Sequence, residues 1–173
     1  MRSMVEGYLR GPVSCPSTTL RVVPLPMLAH GEELCDAPHM TTELVALAWG
    51  CVLALVHVFA AVRVKTRQYG TAWNMGARDE ALPPPDPIVG RLARAQANFF
   101  ETFPIAAAAI LIVHAAGLED RWTAIGALVW LAARIVYLPV YALGIPKLRT
   151  LIFLIGIIGI GMVLWPALTA TFG

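Results

Sequence analysis

Charge is what this sequence has least of. Asp, Glu, Lys and Arg make up only 14% of its 173 residues, the net charge is +2, and 58% of the residues are hydrophobic. Its mean hydropathy of +0.68 exceeds what a soluble domain of this size shows, since a small globule needs a charged surface to stay in water. Cysteine is scarce as well. Cys15, Cys35 and Cys51 form an odd set without metal-ligand spacing, which excludes a disulfide-rich scaffold and leaves at most a Cys15 to Cys35 bridge. His57 and His114 stand alone in apolar stretches with no second ligand at useful spacing, so no metal site is expected. There is no Ser-His-Asp or Cys-His arrangement, and the basic residues make no nucleic-acid patch.

What the chain does have is long apolar text. Four windows suffice to cross a hydrocarbon core of about 30 Å: Leu44 to Val62, Phe99 to Ala116, Trp122 to Leu143, and Leu151 to Leu168. They predict an all-α integral membrane protein of four helices. The second helix is expected to start earlier, near Ile88, because Asp86-Pro87 is a good helix opening. Arg63, Lys65, Arg67, Arg78, Arg91 and Arg94 crowd the connection between helices one and two, and Lys147 and Arg149 the turn between three and four. The positive-inside rule puts both connections in the cytoplasm and both termini outside. Trp49, Trp122 and Trp165 fall toward the opposite, outer ends, as interfacial tryptophans do. A membrane-lipid headgroup role is the plain expectation for the basic residues beside the first span.

The first 42 residues differ in texture, with Pro12, Pro16, Pro24, Pro26 and Pro38 and no apolar core of signal-peptide length. They are expected to be a disordered extension preceding a bundle over 43–173. Met40, followed by Thr41-Thr42-Glu43, is a candidate start, with hydroxyls available for helix capping. Ala142-Leu143-Gly144-Ile145-Pro146 combines a helix-ending glycine with a helix-opening proline and predicts an antiparallel hairpin of helices three and four. Gly70 to Pro87 reads as the only long loop, able to cover the cytoplasmic mouth.

Polar residues at membrane depth carry the functional signal, because each is expensive there. Arg91, Arg94, Asn98 and Glu101 fall within a sector roughly 80° wide on the second helix. Arg134, Tyr137 and Tyr141 share a sector of about 60° on the third and are expected to face protein. Arg134 needs an anionic partner, and Glu101, at similar depth on an antiparallel helix, is expected to form a structural ion pair with it. Such a pair could simply glue the bundle together. The basic residues at the mouth nevertheless outnumber Glu101, Asp79, Glu80 and Asp86. An anionic ligand would balance them, since arginine forks suit carboxylates and an adjacent thiol loses its proton more readily.

Four stretches resemble a known family. Arg94-Ala-Gln-Ala-Asn98-Phe-Phe-Glu101-Thr-Phe-Pro104 is similar to the hallmark of the MAPEG proteins, the membrane-associated proteins of eicosanoid and glutathione metabolism. Val62-Arg63-Val64 resembles the end of that family's first helix, Arg134-Ile-Val-Tyr137-Leu-Pro-Val-Tyr141 its third-helix motif, and Pro146-Lys-Leu-Arg149-Thr150 the opening of its fourth. The resemblance covers about residues 43 to 170, and the loop text Tyr69 to Asp79 is similar to a bacterial branch, which implies a bacterial inner membrane. It implies a four-helix bundle assembled as a homotrimer, with glutathione as co-substrate at the cytoplasmic side between subunits. Arg63, Arg94, Asn98, Glu101, Tyr137, Tyr141 and Arg149 would contact the tripeptide, with Arg149 stabilising its thiolate as the catalytic residue. The acceptor would be a lipophilic electrophile arriving from the bilayer, in a transferase or peroxidase reaction. Ala97 stands where several members carry a further arginine, and Phe153 where some carry a tyrosine. From the residues alone, a non-catalytic membrane protein binding anionic lipid or another small anion remains the alternative.

Overall fold

A computed structural model describes residues 40–79 and 81–170. The expected disordered extension, the Cys15 to Cys35 bridge and Glu80 lie outside the described residues, apart from residues 40–42 of the extension. The described residues contain helices and connections only: α1 Thr42–Tyr69, α2 Thr71–Met75, α3 Pro87–Ala115, α4 Arg121–Leu143 and α5 Pro146–Ala170. α1, α3, α4 and α5 are each long and apolar enough to span a bilayer. This is an all-α integral membrane protein.

Local chemistry sets the helix ends. Thr41 caps α1, its hydroxyl accepting from the Leu44 N–H, so the hydroxyl residues ahead of the first span do cap it. Pro87 occupies the first turn of α3, where a missing N–H costs nothing. Asp120 and Thr123 form a reciprocal capping box on α4. Gly144 ends α4 in the left-handed region at φ 77°, and α5 opens at once on Pro146. That is the hairpin the glycine and proline predicted. The Gly144 turn is also covered by Arg91, whose Nη1 donates to the Ala142 carbonyl at 3.2 Å.

Two expectations need correction. The first helix runs about two turns beyond Val62, to Tyr69. At 1.5 Å per residue its 28 residues make a rod of about 42 Å, longer than the hydrocarbon is thick. Hydropathy marks where lipid ends, whereas Lys65, Thr66, Arg67 and Gln68 can continue a helix in water. The loop is not structureless either. α2 lies within it, Arg78 stacks on Trp73 and donates to Asn74, and Gln68 and Tyr69 of α1 donate to the carbonyls of Pro84 and Pro83.

In the bundle α4 packs most extensively on α5, and α1 on α3, while α1 and α5 occupy opposite corners. Close approach of α4 and α5 depends on Gly126 and Gly159. A Cβ on Gly159 would lie 2.7 Å from both the Gly126 carbonyl oxygen and the Trp130 nitrogen. Gly159→Leu is therefore expected to destabilise the bundle by about 1–3 kcal/mol, read as a lower thermal midpoint in detergent. Trp130 also fills the space beside Gly50 on α1, where a Cβ would meet its ring at 2.7 Å. An aromatic column runs through the core: His57 stacks on Phe99 at 4.3 Å, Phe99 on Phe103 at 5.3 Å, and Phe103 on Trp130 at 6.1 Å. His57 is buried and its Nδ1 donates to the Leu53 carbonyl at 2.9 Å, as expected for a packed histidine.

At the α4 N-terminal end a polar staple joins three elements. Glu119 Oε1 accepts from the Thr41 hydroxyl at 2.7 Å and meets His114 Nδ1 at 2.9 Å, while the Thr123 hydroxyl donates to buried Glu43. Burial pushes the Glu119 carboxyl up, but the hydrogen bonds from Thr41 and His114 and the charge of His114 outweigh it and hold the group below its ordinary value. A carboxyl depressed in the folded state stabilises above its unfolded pKa and loses that contribution as pH falls through the folded one. The thermal midpoint should accordingly fall as pH drops from about 5 toward 3, with a shallower slope in Glu119→Gln.

Candidate functional site

The site residues come from the end of the bundle where α4 turns into α5. Tyr137 and Tyr141, one turn apart on α4, are buried with ring centroids 5.3 Å apart. Arg149, in the first turn of α5, lies over the Tyr141 ring at 5.0 Å. A hollow of about 110 Å³ opens between Asn98, Tyr137, Arg149, Thr150 and Phe153. Asn98, Tyr137, Tyr141 and Arg149 are thus drawn together from three helices.

Arg134 is the decisive side chain. It is 1% exposed, fixed by one bond from Nη1 to Asn98 Oδ1 at 3.1 Å, and held between the rings of Tyr137 at 5.6 Å and Phe153 at 5.3 Å. Its Nε and Nη2 are buried and have no hydrogen-bond partner. The expected ion pair with Glu101 is not formed: the one ion pair among the described residues is His114 with Glu119, and Glu101 is exposed. The reason is rotational. Asn98 occupies the part of α3 that faces α4, and Glu101, 60° further round the helix, points past it. Phe153 supplies a face on which the guanidinium rests. That role was not apparent from the sequence.

Arg63 and Arg94 do not join this cluster within one chain, and Glu101 stands exposed at its edge, near enough for its charge to act on Tyr137. Arg63 lines a separate open hollow of about 560 Å³ with Thr66, Arg67 and Thr71. Arg94 is exposed and lies back along its own helix beside Gly90. Among the described residues no group of three or more His, Cys, Asp or Glu is placed to hold a metal.

Four membrane helices in this order, with an arginine, an asparagine and two tyrosines converging on the start of the last one, meet a matching family model: that of the MAPEG family, over residues 46–169. The chain belongs to the MAPEG family. No curated protein matches it. As a MAPEG protein it falls among membrane proteins of glutathione and eicosanoid metabolism, and three of the four stretches resembling the family contribute residues to the cluster.

Chemically, the MAPEG cluster offers guanidinium donors in a setting of low polarity, where each is worth more than in water. Arg149 is half-buried and Arg134 fully so. Two tyrosine hydroxyls and the Asn98 amide add neutral donors and acceptors. No carboxylate hydrogen-bonds to either guanidinium among the described residues.

Proposed function

We propose that this MAPEG protein is a glutathione-dependent transferase or peroxidase acting on lipophilic electrophiles. The supporting observation is the buried Arg134, which has two unmet donors and no ion pair among the described residues. A charge at membrane depth costs about 2.5–3.5 kcal/mol, and a small anionic ligand would repay it. Glutathione has two carboxylates and a thiol, and the resemblance to the family supplies its identity. Arg149 would hold the sulfur as thiolate, its proton passing to water. The thiolate then attacks an electrophilic carbon, forming the C–S bond as halide departs. With a hydroperoxide, two glutathiones give the disulfide, the alcohol and water.

The exposed positions support a site shared between subunits. Arg94 and Glu101 face outward from α3, and a carboxylate facing lipid is costly, so a second copy covering this face would complete the ligand set. A homotrimer, as in the family, would do this. The positive-inside rule supports a cytoplasmic position for this end with both termini outside, and the likeness of the loop text 69–79 to a bacterial branch supports a bacterial inner membrane.

Glutathione titrated into detergent-purified protein is expected to give thiolate absorbance at neutral pH. Glutathione consumption with a halogenated aromatic and with a lipid hydroperoxide then separates transferase from peroxidase. Binding of anionic lipid headgroups with no thiolate signal and no turnover would favour a non-catalytic anion binder instead. Mass measurement in detergent tests the trimer.

A further inference from the structure

A large hollow lies away from the arginines. It is a groove of about 740 Å³ between the start of α4 and the last third of α5, beyond the Gly126–Gly159 contact. Its floor is Ile158, Gly161 and Met162, and its mouth is Asp120, Trp122 and Trp165. A Cβ on Gly161 would meet nothing within 4 Å, so the glycine leaves a channel open here and serves no helix contact. Both tryptophans are more than half exposed and lie at the level where indoles settle, between hydrocarbon and headgroups.

Charge at the mouth selects what fills it. Asp120 uses Oδ1 to cap α4 through the Thr123 N–H, and no cationic side chain pairs with it among the described residues. A carboxylate with no cationic side chain on it, lining a groove with two tryptophans, suits an ammonium group, since indole faces attract cations. Arg121, exposed next to Asp120 and likewise without an ion-pair partner among the described residues, suits the phosphate of the same headgroup.

We propose that the α4–α5 groove binds a zwitterionic phospholipid of the bilayer, its ammonium at Asp120 between Trp122 and Trp165, its phosphate at Arg121, and one acyl chain over Gly161. The site is at the opposite end of α4 and α5 from Arg149 and does not depend on the glutathione reading.

The test uses the full chain in detergent, offered equal amounts of phosphatidylethanolamine and phosphatidylglycerol and examined by native mass spectrometry. Wild type is expected to retain phosphatidylethanolamine roughly fivefold more than phosphatidylglycerol, the ratio that about 1 kcal/mol of cation recognition gives. Asp120→Asn keeps the helix cap, because asparagine caps as well as aspartate, and is expected to bring the ratio near one. Gly161→Phe fills the groove and is expected to reduce retention of both lipids while leaving the oligomer mass unchanged. Equal retention of the two lipids by wild type overturns the proposal, as does unchanged retention in Gly161→Phe. A change of oligomer mass in Gly161→Phe without loss of lipid would mark the groove as a contact between copies and overturn it equally.

Discussion

Replacing Arg149 with alanine is expected to lower glutathione turnover by about two to three orders of magnitude, the usual loss when one preorganised donor to a developing anion is removed. The thermal midpoint is expected to change little, because Arg149 is only half-buried and rests on the Tyr141 ring without a side-chain hydrogen bond among the described residues. Thiolate absorbance gives the more direct reading. In wild type it appears at neutral pH, whereas in Arg149→Ala it should appear only as pH approaches the free thiol value of about 8.5. Arg149→Lys keeps the charge but loses the planar fork and the ring contact, so an intermediate rate is expected. An Arg149→Ala enzyme with wild-type turnover would remove this residue from the chemistry.

Tyr141 bears on the same measurement. Because Arg149 rests on its ring, Tyr141→Phe preserves the contact and removes only the hydroxyl, whereas Tyr141→Leu removes the platform. If the aromatic face positions Arg149, then Leu lowers kcat more than Phe does. If the hydroxyl orients glutathione, the two variants raise KM alike.

Much of this was legible in the sequence, and the parts that were not share a cause. The spans, the α4–α5 hairpin and the burial of Arg134, Tyr137 and Tyr141 follow from hydropathy, from Gly144 with Pro146, and from helical spacing, all of which are local properties. The partner of Arg134 is not local. Asn98 and Glu101 lie on neighbouring faces of α3, and which of them meets α4 is decided by the rotation of α3 in the bundle. That rotation is set by Phe99, Ala106 and Val113 packing inward, and a turn of about 60° would have brought Glu101 toward α4 in place of Asn98. The extension of α1 to Tyr69 was missed for a simpler reason: apolar runs report the thickness of lipid, not the length of a helix.

The Arg134 environment gives the last prediction, and its two halves point in opposite directions. Without ligand, the guanidinium sits with Nε and Nη2 unsatisfied, so its desolvation is only partly offset by Asn98 and two aromatic faces. Replacing a buried charge by an apolar side chain of similar length is often neutral or stabilising. Arg134→Met is accordingly expected to keep the thermal midpoint at or above that of wild type, because methionine adapts to the slot between Tyr137 and Phe153. Asn98 loses its partner, but it is half-exposed and can be hydrated. Glutathione affinity is expected to fall by about two orders of magnitude, as when one member of a buried charge pair is truncated. Asn98→Ala is the converse: it strips Arg134 of its remaining hydrogen bond, and the apo protein is expected to be less stable by about 1–3 kcal/mol. If Arg134→Met instead melts the bundle and leaves ligand affinity unchanged, the guanidinium serves packing and the anion belongs elsewhere. A chain in which losing a charge hardens the empty protein and blinds it to its ligand has kept that charge for the ligand.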